Sequence, residues 1–152
     1  MLHKFFSPQD SVVPLITRVV LGAVMLPHGM QKALGMFGGG GFAATMQGMS
    51  QGMGIPSVAV LLIIASEFLG SIALILGVAT RLCAFGTFSI MTGAIFMVHL
   101  PNGFFMNWFG KQAGEGFEYH LLAIGMAATL MIAGGGKWSV DGLLAAKMEN
   151  GE

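Results

Sequence analysis

The sequence predicts an all-α fold: a bundle of four transmembrane helices with short loops and a short C-terminal interfacial helix. Three observations predict it. Of 152 residues, 55% are hydrophobic and only 9% are charged, against about 25% charged in an ordinary soluble domain. Mean hydropathy is +0.78. Four stretches approach the roughly 20 apolar residues that a bilayer crossing requires. A soluble chain this short and apolar could not cover its surface with polar groups, whereas lipid makes an apolar exterior the stable one.

The first stretch runs over residues 12–34, after the turn-like Ser7-Pro8-Gln9-Asp10. The second covers 56–79, with Pro56 at the helix start, where a missing N–H costs nothing. The third covers 82–100 and stops at Pro101-Asn102-Gly103. The fourth covers 117–133 and stops at Gly134-Gly135-Gly136, a glycine-rich end that suits a helix stop. The tail after Trp138 reads as the interfacial helix, capped by Ser139, with Leu143, Leu144 and Met148 on its apolar side. The whole of 1–152 is expected to form one membrane domain. The first apolar stretch has full span length and no small-residue cleavage site follows it, so it is expected to remain in the mature protein.

The Lys/Arg distribution sets the expected orientation. Lys4, Arg81, Lys137 and Lys147 would lie on one side, Lys32 and Lys111 on the other. This bias puts both termini in the cytoplasm. The formal net charge is +0, and nothing points to a nucleic-acid partner. Cys83 is the single cysteine, which excludes an internal disulfide and any C-x-x-C couple.

The informative residues are those that an apolar span should not contain. An ionisable side chain at the centre of a span costs about 2.5–3.5 kcal/mol on insertion scales, so such residues usually face the bundle interior and mark function. At about 1.5 Å per residue, Arg18 lies about 9 Å into the first span and Glu67 about 16 Å into the second. His28 and Lys32 share a face one turn apart. His99 ends the third span, and Glu118 and His120 begin the fourth. The topology therefore delivers His28, Lys32, His99, Glu118 and His120 to one layer, with Glu67 beneath it.

Such a cluster suits an anionic or quinone-like head group, proton movement, or a metal. Glu67 and Glu118 are the candidates for proton transfer; Arg18, His28, Lys32, His99 and His120 are the candidates for ligand binding. Each also has a plainer reading. Arg18 could snorkel or pair with Asp141; Lys32 could snorkel outward; His99 and His120 could be ordinary interfacial residues. Glu67 is the hardest to explain away, because a mid-span carboxylate needs a partner or a proton. No metal site is assigned, since the spacing of His28, His99 and His120 matches no local metal motif. Met46, Met49 and Met53 fall at i, i+3 and i+7; thioethers are copper(I) ligands, but the stripe is read here as an apolar helix face. Gly22, Gly29, Gly70 and Gly77 are read as close-packing positions.

Arg18-Val-Val-Leu-Gly22, Leu26-Pro-His28-Gly29-Met-Gln-Lys32, Glu67-Phe-Leu-Gly70, Leu76-Gly77-Val-Ala-Thr80-Arg81, Gly116-Phe117-Glu118-Tyr119-His120 and Gly134-Gly-Gly-Lys-Trp-Ser139-Val-Asp141 follow in order along the chain. Together they resemble the DoxX family of small bacterial inner-membrane proteins. The resemblance implies a four-helix membrane bundle and a loose link to redox chemistry. Relatives include the membrane subunit of an archaeal thiosulfate:quinone oxidoreductase and partners of membrane-associated oxidoreductase complexes. Some relatives in the wider superfamily use paired cysteines; this chain, with Cys83 alone, departs from them.

Two functions compete at this level. The first is a membrane subunit of an oxidoreductase system that binds quinone or a small oxyanion or sulfur compound, with a soluble or membrane redox partner. No haem, flavin or dinucleotide motif is present, which leaves quinone as the cofactor to consider. The second is a small homo-oligomeric transporter or channel for ions, protons or small molecules. A scaffold for a soluble enzyme is a weaker third, because the loops are short.

Overall fold

A computed structural model describes residues 11–149. The turn expected at Ser7-Pro8-Gln9-Asp10 and the basic Lys4 lie outside the described residues. Helix α1 covers Val12–Leu34, capped by the Ser11 hydroxyl, which accepts the Val13 N–H. Helix α2 covers Gly41–Gln47 and runs into a wide π turn at Gly48–Gly52. Helix α3 covers Ser57–Leu76 and helix α4 covers Thr80–Asn102. Helix α5 covers Glu118–Ala133 and helix α6 covers Val140–Glu149.

α1, α3 and α4 are long and apolar enough to cross a membrane; α5, at 16 residues, is shorter. Val58, Leu62, Leu82, Phe96, Leu122 and Ile132 are 62–76% exposed on the outside of the bundle, an arrangement that only lipid makes stable. The second span ends at Leu76 rather than at 79. Gly77 leaves the helix with φ 72°, and its position also leaves no room for a side chain between Ser139 and Arg18.

The helices run up, down, up, down. α4 packs on α5, α1 packs on both α3 and α5, and α3 meets α4 mainly through its last eleven residues, 66–76. Leu21, Met25, Leu74, Ala84, Met91, Ala123, Ala127 and Leu130 form the main core. A smaller cluster of Ile55, Val60 and Ile64 lies under α2, with Met46 and Met49 packed against it. Two of the three methionines of the predicted stripe therefore rest on protein. α1 approaches α3 through two glycines. A Cβ on Gly22 would lie 2.7 Å from the Ser71 carbonyl oxygen, and one on Gly29 would lie 2.5 Å from the Phe68 nitrogen.

One end of the bundle is tied shut. Arg18 is 2% exposed, and its guanidinium meets backbone carbonyls from two separate segments. Nε donates to Gly135 (2.8 Å); Nη1 donates to Leu74 (3.2 Å) and to Ile75; Nη2 donates to Lys137 (3.3 Å) and Trp138 (3.0 Å). Arg81 does likewise at the end of α5, donating to the Met131 and Ile132 carbonyls. Helix C-termini present unpaired carbonyls and a partial negative charge, so cations belong there. The pairing of Arg18 with Asp141 weighed from the sequence is not what holds either residue. The Asp141 carboxylate instead accepts the N–H groups of Ala79 (2.7 Å) and Thr80 (2.8 Å) at the start of α4. Ser139 caps α6 by accepting the Gly142 N–H, and Leu143, Leu144 and Met148 are exposed, as the interfacial reading requires.

Arg18→Met should lower the thermal unfolding temperature in detergent sharply, because at least two buried carbonyls lose their partners at roughly 1–3 kcal/mol each. Arg18→Lys should fail to rescue it, since a point-like ammonium cannot span carbonyls on two segments. Equal melting temperatures for wild type and Arg18→Met would refute the cage as a stabilising element.

Candidate functional site

At the opposite end α3 and α4 part. They cross where Gly86 lies against the Ser66 hydroxyl with no room for a Cβ between them. A cleft of about 1010 Å³ runs between the two helices. Its walls are largely apolar side chains such as Leu62, Ile63, Phe85 and Ala94, and α1 and α5 form its floor with Met25, His28, Tyr119 and His120. Leu62, Leu82 and Phe85 line the cleft and are also strongly exposed. The cleft is therefore open along the lipid-facing side.

Five of the seven ionisable residues singled out from the sequence line this cleft: His28, Lys32, Glu67, His99 and His120. Glu67 is 4% exposed and accepts a hydrogen bond from the Lys32 ammonium as an ion pair. Gly29, one turn below Lys32, lets α1 approach α3 closely enough for that pair. The Glu67 carbonyl is also engaged, by the Ser71 hydroxyl at 2.5 Å. The His99 and His120 rings lie with centroids 4.1 Å apart. His28 stands 6.4 Å from the Tyr119 ring, and Tyr119 packs edge-on against His120.

Glu67 and His99 both sit in π turns, Ser66–Gly70 in α3 and Ile95–His99 in α4. A π turn inserts extra backbone into a helix, re-aims the side chains that follow, and occurs often at functional sites. Met49 sits in the third such turn, and it too lines the cleft.

The other two residues are elsewhere. Arg18 lies in its carbonyl cage at the closed end. Glu118 is turned away from the cleft lining and organises the loop between α4 and α5, accepting the Met106 N–H (2.9 Å) and the Trp108 indole N–H (3.3 Å). Glu115 ties the same loop by accepting the Asn107 N–H at 2.7 Å, and it does line the cleft. Sequence reasoning missed Tyr119, whose hydroxyl reaches Met25 Sδ at 3.5 Å. Its adjacency to His120 within Glu118-Tyr119-His120 was the available signal.

Lys32→Met should destabilise the protein by about 2 kcal/mol, below the range for a fully buried pair because the Lys32 side chain is 28% exposed. Adding Glu67→Gln should restore much of the loss. A double-mutant cycle on chemical unfolding in detergent reads the coupling, and additive losses would mean that the pair is not an energetic unit. Gly29→Val should have the same signature as loss of the pair, because it drives α1 away from Glu67.

The DoxX family profile matches residues 13–100, more than half of the chain. The chain is 29% identical over 140 residues to "Inner membrane protein YqjF" of Escherichia coli (strain K12), covering 91% of this chain and 96% of that protein. No solved structure matches the chain.

Proposed function

This chain belongs to the DoxX family, and from that premise we propose that it serves in the bacterial inner membrane, with both termini cytoplasmic, as the membrane subunit of an oxidoreductase system that binds a quinone. The observation that carries the reading is the cleft between α3 and α4. It is open toward lipid and apolar along most of its walls, with polar groups where α1 backs it and where α4 meets α5. That is the shape of a ligand with an isoprenoid tail and a carbonyl-bearing head. Its volume sits at the upper end of the roughly 300–1,000 Å³ typical of small-molecule pockets, enough for the head group and the first part of a tail.

The electrostatics favour a neutral ligand over an oxyanion. The Lys32 ammonium is already engaged by the Glu67 carboxylate, so it offers little uncompensated charge to an anion. The groups left to meet a quinone carbonyl oxygen are the Tyr119 hydroxyl and the His28 ring, both lining the cleft. Conversion of a quinone to a quinol takes two electrons and two protons. In this reading the Glu67–Lys32 pair hands on protons, and a redox partner would supply the electrons. A transporter would need a path for water-soluble cargo; an opening toward lipid supports a lipid-phase ligand instead.

The test is to purify the protein in mild detergent or nanodiscs and to quantify quinone per chain by mass spectrometry against a control membrane protein. Wild type should retain quinone well above that control. Tyr119→Phe should weaken quinone binding about 2- to 10-fold, the worth of one hydrogen bond. Glu67→Gln should keep the fold and bind quinone yet abolish turnover with the partner. Retention no better than the control, together with no response to added quinone, would overturn the proposal.

A further inference from the structure

The rim of the cleft, where α4 ends and α5 begins, carries a feature that quinone binding does not use. His120 is 6% exposed, and its Nδ1 is buried with no hydrogen-bond partner. Buried polar atoms are nearly always satisfied, and an orphan marks a place for a water, an ion or another ligand. Its neighbour His99 is held differently. His99 Nδ1 lies 2.8 Å from the Glu115 carbonyl oxygen, which can only accept, so Nδ1 carries the proton and Nε2 carries the free lone pair. A backbone carbonyl on the far nitrogen is the usual second contact of a metal-ligating imidazole. The ring centroids lie 4.1 Å apart. Two imidazoles on one ion have centroids at most about 6 Å apart, given metal–N bonds of about 2.0 Å, so the pair is close enough to share one.

The same cleft also offers soft donors, the thioethers. Met49, Met53, Met91, Met97 and Met106 line the same cleft as the two imidazoles. Met106 belongs to the loop between α4 and α5 that is tied to both imidazoles: Glu118, two residues before His120, accepts its N–H, and Glu115 of the same loop holds His99. Among the described residues, no three His, Cys, Asp or Glu side chains group closely enough to hold a metal. That removes the usual zinc sets and leaves a soft donor set of two imidazoles and a thioether, which selects copper(I). Charge agrees: a monovalent ion with neutral ligands costs far less to bury in an apolar bundle than a divalent one.

We infer that His99, His120 and Met106 form a copper(I) site at the rim of the cleft. The test uses the full-length protein in detergent, metal-free, titrated anaerobically with copper(I) against a chromophoric chelator, with silver(I) as a redox-inert second probe. Wild type should hold a single copper(I) per chain, and X-ray absorption should show both imidazole nitrogen and sulfur around it. His99→Gln/His120→Asn should weaken binding at least about 10-fold, and Met106→Leu should remove the sulfur signal with a similar loss. Zinc(II) at the same concentration should not be retained. Wild type that yields copper(I) to the chelator as readily as the double variant overturns the site. So does bound copper without imidazole nitrogen, a readout that needs no variant to fold. Quinone retention measured on the same metal-free sample separates this outcome from failure of the quinone reading.

Discussion

A guanidinium inside an apolar bundle is tolerable only if every donor finds an acceptor, and Arg18 imposes that condition on the rest of the chain. It cannot be discharged within α1, whose own carbonyls are engaged in the helix. The acceptors have to be backbone carbonyls freed where other helices stop. So α3 must end beside Arg18, releasing Leu74 and Ile75, and the segment after α5 must fold back, presenting Gly135, Lys137 and Trp138. The tight turn at Gly77–Ala79 follows from that. Ala79 is left in the left-handed region at φ 45°, a strained conformation held by the Asp141 carboxylate on its N–H. Cations sit on helix C-termini and an anion sits on a helix N-terminus, so the closed end is electrostatically matched throughout.

A bundle fastened firmly at one end can be open at the other. α3 and α4 pack closely at Ser66 and Gly86, and the cleft runs between them from Leu82 near the start of α4 to His99 near its end. The two glycines of α1 keep α1 and α3 in close contact along the same stretch. The Lys32–Glu67 pair is therefore formed across a tight interface while the neighbouring interface gapes. The backbone ties of Arg18 lie at one end and the Lys32–Glu67 pair and the paired imidazoles at the other, so a small bundle can hold a groove without losing its fold.

Much of the fold was legible in sequence because lipid makes the signal coarse: α1 was read at its observed bounds, and the other spans to within a few residues. The convergence of His28, Lys32, His99 and His120, with Glu67 beneath, was legible too, since up-and-down topology plus helix rise sets their depths. Glu118 was not separable from that group, and Arg18, though at another depth, was still counted as a ligand-binding candidate. Sequence registers the cost of burying a charge but not its partner: Arg18 meets carbonyls freed where other helices end, and Glu118 meets the Met106 N–H and the Trp108 indole of a loop. Tyr119 was passed over for the opposite reason: an aromatic near a span end costs nothing and reads as part of the interfacial belt. The π turns at Glu67 and His99 had no signal, because they arise from how neighbouring helices pack rather than from the residues within them.

Those turns decide what the cleft can do. In a regular α3, Glu67 would be aimed by helical periodicity alone; the π turn at Ser66–Gly70 re-aims it toward Lys32 on α1 while leaving the α3–α4 crossing intact. In α4 the π turn at Ile95–His99 similarly sets His99 beside His120 of α5. The polar groups are thereby gathered in pairs across helix boundaries, a carboxylate with an ammonium and an imidazole with an imidazole. Paired groups carry little net charge, so the groove can remain in lipid without drawing in water or anions. The unpaired hydroxyl and imidazole groups and the apolar walls then set the character of the cleft more than net charge does.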